Sequence, residues 1–174
     1  MAFGATSAIF QQAMLNPIMG RLWTTAAPTT FANLSADTVN AALFNNTTTP
    51  DKTAAVGSTG FNTGVWITAN EVTDATNWVS GGRPLASKAF SIDTGSSSVC
   101  FQAAATAGAG NVTIANAYGC LVYDSTITAG TVAKQAMCYN SFGGAAQGVT
   151  AGTFTILWAT VGALTNVVVF NVTV

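Results

Sequence analysis

Apolar and polar positions alternate most regularly between residues 117 and 158, and the pattern there predicts three strands in a meander. Residues 118–123 form a short apolar run ended by Asp124-Ser125, and residues 134–142 form a second, closed by Gly143-Gly144. In the third, residues 153–158, Phe154, Ile156 and Trp158 fall on one face while Thr153 and Thr155 fall on the other. A period of two is the mark of a half-buried strand.

The same reading extends in both directions. Residues 39–44 make a strand stopped by Asn45-Asn46 and Thr49-Pro50-Asp51, and residues 54–64 are a polar loop with one aromatic, Phe61. Short strands are expected at 65–69 and 76–79, before Gly81-Gly82-Arg83-Pro84. Residues 88–92 and 99–103 flank Asp93-Thr94-Gly95-Ser96 as a hairpin, Val112 and Ile114 follow a turn at 108–111, and residues 167–174 form a last strand. Strands about ten residues apart with polar turns predict an all-β fold, an antiparallel β-sandwich or barrel-like domain over residues 39–174.

Residues 1–38 read differently. After Thr6-Ser7, a candidate N-cap, Ile9, Phe10, Ala13 and Met14 share one face at helical spacing, and Asn16-Pro17 ends the pattern. Ile18, Leu22 and Trp23 stay apolar before a Thr/Ala/Pro stretch at 24–30. This predicts an N-terminal arm, a short helix plus linker, whose Ile9, Phe10, Met14, Ile18, Leu22 and Trp23 pack either on the chain's own domain or on a neighbouring subunit. On the second alternative, deleting residues 1–23 leaves a folded domain that no longer assembles.

Composition narrows the function. The chain has 174 residues, enough for one domain with its own core. Only 6% are charged against 49% hydrophobic, so Thr, Ser, Asn, Gln and Gly must supply the polar surface. A net charge of -1 does not steer the chain toward nucleic acid or an anionic membrane, and it removes the self-repulsion that keeps monomers apart. A homo-oligomer is expected, with no nucleic-acid or membrane partner. The mean hydropathy of +0.43 is spread over short runs, none near the roughly 18 residues of a spanning helix. The first basic residue is Arg21, so no signal peptide is expected. Cys100, Cys120 and Cys138 have no metal-ligand spacing and read as reduced thiols in the core.

Candidate chemistry is sparse. The absence of histidine removes the usual triads, dyads and imidazole metal sites, and no phosphate-binding glycine motif follows a strand. Neither an enzyme nor a cofactor is expected. The six carboxylates lie in or beside turns, and a glycosidase pair of Asp93 with Asp124 has less to support it than turn formation. Residues 93–97, Asp-Thr-Gly-Ser-Ser, resemble the active loop of pepsin-like aspartic proteases. That chemistry needs a second aspartate, and Asp124-Ser125-Thr126 lacks the glycine. A hairpin turn accounts for the motif. Asn-X-Thr/Ser sequons, among them those beginning at Asn33, Asn45, Asn111 and Asn171, follow from the abundance of Asn and Thr.

Several segments carry a resemblance. Leu43-Phe44-Asn45-Asn46 followed by Thr49-Pro50-Asp51, then residues 66–72 (WITANEV) and 78–84 (WVSGGRP), resemble small structural proteins of tailed bacteriophages, especially those of actinobacteria. The resemblance continues in residues 119–124 (GCLVYD), 138–144 (CYNSFGG) and 152–158 (GTFTILW). It implies a virion component: a capsid decoration or minor capsid protein that binds the major capsid protein and copies of itself on the particle surface. The alternative is a tail or fibre-associated module whose exposed Tyr, Trp and Asn side chains contact a host glycan. These motifs are strand and turn segments, so they bear on scaffold more than on task.

Overall fold

Two six-residue strands, β2 (Val39–Phe44) and β9 (Gly119–Asp124), form the middle of the molecule and are apolar at consecutive positions because both of their faces are covered. All six residues of β9 are buried, as are five of the six in β2. The computed structural model describes residues 3, 7–10, 34, 36–93, 98–108, 110–128, 132–161 and 164–171. Within these the fold is all-β and sandwich-like, with antiparallel pairing in every sheet.

β2 and β9 pair from Val39↔Asp124 to Phe44↔Gly119. β10 (Ala136–Ser141) flanks β9, and β1 (Ala8–Ile9) edges β10. On the far side of β2, β3 (Glu71–Val72) pairs with Leu43 and Phe44 while β4 (Arg83–Pro84) pairs with Asn40 and Ala41. Pro84 is accommodated because β4 lies at an edge and owes no further ladder bond.

Register sorts the side chains into two faces. Ala42, Phe44, Leu121, Tyr123 and Tyr139 share one face. An aromatic layer covers it: Trp66 lies 5.1 Å from Phe44 and 5.8 Å from Tyr139 between ring centroids, and Phe61 stacks on Tyr123 at 4.8 Å. Val39, Ala41, Leu43, Cys120, Val122 and Cys138 share the other face and are also buried. The three cysteines are all buried.

The described N-terminal residues complete the aromatic layer and are extended where the start of a helix was expected, while residues 11–17 of that expected helix lie outside the described residues. Ala8–Ile9 is a strand paired with Tyr139 and Cys138, and the Phe10 N–H donates to the Met137 carbonyl at 3.1 Å. Ser7, the candidate N-cap, accepts the Ser141 N–H at 2.8 Å. The open edge of β10 offers this segment ladder bonds along an existing strand, whereas a short isolated helix has only its own turns. Phe10 is fully buried, with its ring 6.2 Å from Trp66 and 5.7 Å from Tyr139, and Phe3 sits beside both.

Gly119 makes room for Phe3. A Cβ there would lie 2.4 Å from the Phe3 ring and 2.5 Å from the Asn140 carbonyl oxygen. Gly119→Ala is expected to cost about 1–3 kcal/mol through overpacking. Combining it with Phe3→Ala should cost less than the sum of the two changes, as read by urea denaturation of all three variants.

Beyond this sheet the two chain segments of β9 and β10 go on to pair again in two separate two-stranded sheets. β8 (Val112–Ala117) runs into β9, and β10 runs into β11 (Gln147–Gly152), which pairs with β8. β7 (Thr106–Ala107) pairs with β12 (Thr155–Ile156). Residues 106–124 and 136–156 therefore form one long bulged ribbon. The third strand of the expected meander pairs with β7 and not with β10, because the ribbon carries residues 153–158 away from the central sheet. Its alternation holds: Phe154, Ile156 and Trp158 are buried, and Leu157 is 78% exposed.

A four-stranded sheet, in the order β13 (Ala159–Val161), β14 (Leu164–Asn171), β6 (Ser98–Gln102), β5 (Ala89–Asp93), closes the fold. It contains the expected hairpin, Ala89↔Gln102 to Asp93↔Ser98. The strands expected at 65–69 and 76–79 are absent from those described segments. Thr68–Asn70 is a 3-10 turn, and Asp74 and Trp78 form an isolated bridge. Local side-chain bonds win here: Asp74 Oδ1 accepts the N–H groups of Thr76 and Asn77, and Asn70 Nδ2 donates to the Val65 carbonyl.

Candidate functional site

Polar side chains in the middle of so apolar a molecule are the natural places to look for chemistry, and the central sheet holds two groups of them. The first lies where the 73–82 loop folds back over β2. Glu71 accepts from Ser80 Oγ at 2.6 Å and from the Gly81 N–H at 2.7 Å. The Gly81 carbonyl in turn accepts from Tyr123 Oη at 2.8 Å and Asn40 Nδ2 at 3.0 Å. Burial raises the Glu71 carboxyl above its ordinary range, against the opposing pull of Ser80, Gly81 and Lys134. Burial likewise pushes the Tyr123 phenol up to about 12. Lys134 places its ammonium 5.2 Å from the centroid of the Phe61 ring.

The second group lies at the other end of β2. Asp124, fully buried at the end of β9, accepts the Thr126 N–H at Oδ1, 2.8 Å away. Burial, and then the neighbouring Asp37 carboxylate, push its carboxyl up to about 6. Thr38 is stitched to the same corner: its N–H donates to Thr126 Oγ1 at 2.8 Å, and its carbonyl accepts both the N–H and the Oγ of Ser125 at 2.8 Å.

The other described carboxylates close turns. Asp51 accepts the N–H and Oγ1 of Thr53, and Asp74 joins its own turn to the Thr113 N–H of β8 at 3.0 Å. These bonds hold both carboxyls below the ordinary range. Cys120 is pushed up to about 12 by burial, and Cys138 is raised by burial and by Cys120, so neither thiol is a nucleophile at neutral pH. Among the described residues, no three Cys, Asp or Glu side chains gather to hold a metal ion. Among them, too, no helix is long and apolar enough to cross a membrane.

The residues singled out by sequence fare differently. Asp93 ends β5 in the four-stranded sheet, while Asp124 ends β9 in the six-stranded one, and residues 94–97 of the Asp-Thr-Gly-Ser-Ser motif lie outside the described residues. The structure brings Asp124 together with Asp37 instead. Of the arm residues, Ile9 is in β1 and Phe10 fills the chain's own core, so Phe10 is removed as a contact for a neighbour. Met14, Ile18, Leu22 and Trp23 lie outside the described residues.

Sequence reasoning did not single out Asp37, Asn40 or Phe3. Asp37-Thr38 and Asp124-Ser125-Thr126 are each ordinary turn formers, and only the register of β2 against β9 sets them side by side. Compared with known protein families, curated proteins and solved structures, the chain matches none.

Proposed function

We propose that this chain is a structural component of a tailed-phage particle, a decoration or minor capsid protein that binds the major capsid shell and copies of itself. The observation that carries this reading is the fate of the carboxylates. Asp51, Glu71, Asp74 and Asp124, four of the six acidic residues, are engaged in holding turns and loops in place. Such side chains stabilise a scaffold and leave little for acid–base chemistry. The resemblance of the β2, β9 and β10 segments to phage structural proteins supports the same role.

Contact with the shell falls to the apolar side chains on the outside. Val65, Ile67, Val79, Phe90 and Leu157 are each between 38% and 78% exposed. In this proposal Met14, Ile18, Leu22 and Trp23, which lie outside the described residues, are further contacts for the shell. Each apolar contact contributes roughly 25 cal/mol per Å² before ordering costs, and repetition over a shell multiplies weak contacts into avidity.

A second reading, a tail or fibre module for a host glycan, asks for aromatic platforms. Trp66, Trp78, Trp158, Tyr123 and Tyr139 are all buried in the core, which leaves it fewer residues to use. Antibody labelling of purified particles of the phage that encodes this chain separates the two. Label in many copies over the head is expected; a few copies at the tail establish the second reading, and absence from the particle sinks both.

A further inference from the structure

The four-stranded sheet ends at β5 in an unusual way. β6 is paired on both sides, with β5 through Phe101↔Phe90 and with β14 through Phe101↔Val168, whereas among the described residues β5 has β6 alone. Cross-strand partners share a face, and the Phe90 and Phe101 rings lie with their centroids 5.0 Å apart. Phe101 is fully buried, while Phe90 is 48% exposed. An aromatic ladder therefore starts in the core and stops, half open, at the rim of the sheet.

Sheet edges are normally guarded by proline, by charge within the strand or by a covering element. β4 carries Arg83-Pro84 at its edge. Residues 89–92 of β5 contain neither proline nor charge, and Ala89 and Phe90 are both exposed. Such an edge offers backbone N–H and C=O groups to an added strand, and the ladder favours an aromatic ring at one position of that strand.

A second β5 meets both demands, and charge fixes its direction. The strand follows Lys88 and ends on Asp93, so an antiparallel copy brings the basic end of each strand to the acidic end of the other, whereas a parallel copy sets like beside like. A two-fold axis centred on Phe90 sets that residue opposite the partner's Phe90 and Lys88 opposite the partner's Ile92, next to the partner's Asp93.

We propose that β5 is a dimerisation edge, at which two copies pair antiparallel about a two-fold axis at Phe90 and join their four-stranded sheets into one. The net charge of -1 sets almost no repulsion against the pair. The pairing rests on the proposed role only in treating binding to copies of itself as part of the chain's work. It assigns Phe90 to a second copy and leaves Val65, Ile67, Val79 and Leu157 to the shell.

Sedimentation of the purified full chain across about a hundredfold range of concentration is expected to show a monomer–dimer equilibrium. Phe90→Lys should weaken the dimer by roughly tenfold or more, with the near-ultraviolet circular dichroism unchanged. Phe90→Cys tests the same edge without that substitution and reads its register. On the axis the two thiols face each other across a strand pair, with Cα atoms about 4.5–5.5 Å apart, a spacing that suits a disulfide. Oxidised glutathione, itself reduced to two thiols as the disulfide forms, should link Phe90→Cys into covalent dimers at least about tenfold faster than Ile67→Cys. Ile67 is 40% exposed but lies outside the strands. A chain that stays monomeric throughout overturns the dimerisation edge. So does a dimer that Phe90→Lys leaves intact, or a Phe90→Cys chain that links no faster than Ile67→Cys. Failure of the proposed role reads differently, as a chain that dimerises through β5 yet is found nowhere on the particle.

Discussion

Trp66→Ala is expected to destabilise the fold by about 3–5 kcal/mol, a large part of the roughly 5–15 kcal/mol that holds a domain of this kind together. The indole is 1% exposed and meets the rings of Phe3, Phe10, Phe44 and Tyr139, with centroids between 5.1 and 6.2 Å away. Its removal leaves a void bounded by four rings from three parts of the chain, the N-terminal residues, β2 and β10, which cannot all close on it at once. Urea denaturation reads the loss. Phe10→Ala should be nearly as damaging, and the double variant should show a coupling of about 0.5–1.5 kcal/mol. An outward-facing Phe10 whose work is to dock on a neighbour would leave the midpoint of Phe10→Ala unchanged, and that result would refute its place in the core. Deleting residues 1–23 is accordingly expected to weaken the fold itself, in contrast to the intact domain expected from an arm.

Gly82→Ala is the second change with a large effect, and its cause is backbone against backbone. Gly82 has φ +73°, and a Cβ there would lie 2.1 Å from the Ala41 carbonyl oxygen and 2.6 Å from Ala42 Cα. No side-chain rotation relieves that contact, so the 73–82 loop must lift from β2. Lifting it strains the bonds that Gly81 makes with Glu71, Tyr123 and Asn40. The expected loss is about 3 kcal/mol or more, read as a fall in the thermal midpoint. Retention of the wild-type midpoint would show that the loop does not lie against β2. Ala at Gly57, where a Cβ meets nothing within 4 Å, serves as the matched control.

Strand content was legible where a residue's neighbours in sequence decide its state. Phe154, Ile156 and Trp158 alternate because one side of that strand is wet, and the hairpin of β5 and β6 follows from Asp93-Thr94-Gly95-Ser96 between two apolar runs. Illegible features depend on partners far away in sequence. Ile9 and Phe10 have a spacing that fits a helix, and only the free edge of β10, more than 120 residues later, makes them extended. Residues 65–69 and 76–79 contain strand formers, yet Trp66 and Trp78 are each needed in the core while Asp74 and Asn70 bond locally. Asp124 stood out as a carboxylate beside a turn. Its partner Asp37 did not, since nothing near either residue announces the other.

The pairing of β1 with β10 also sets an order of events during synthesis. Ala8 meets Tyr139, so Phe3 and Phe10 leave the ribosome long before the residues that receive them. At about 5–20 residues per second, the wait is on the order of ten seconds, during which two phenyl rings that belong in the core have no socket. Pairings this distant in sequence are slow to close in any case. The nascent chain is therefore open to mispairing or chaperone capture around Phe3 and Phe10 until β10 has been made, and their seating must follow the synthesis of that strand.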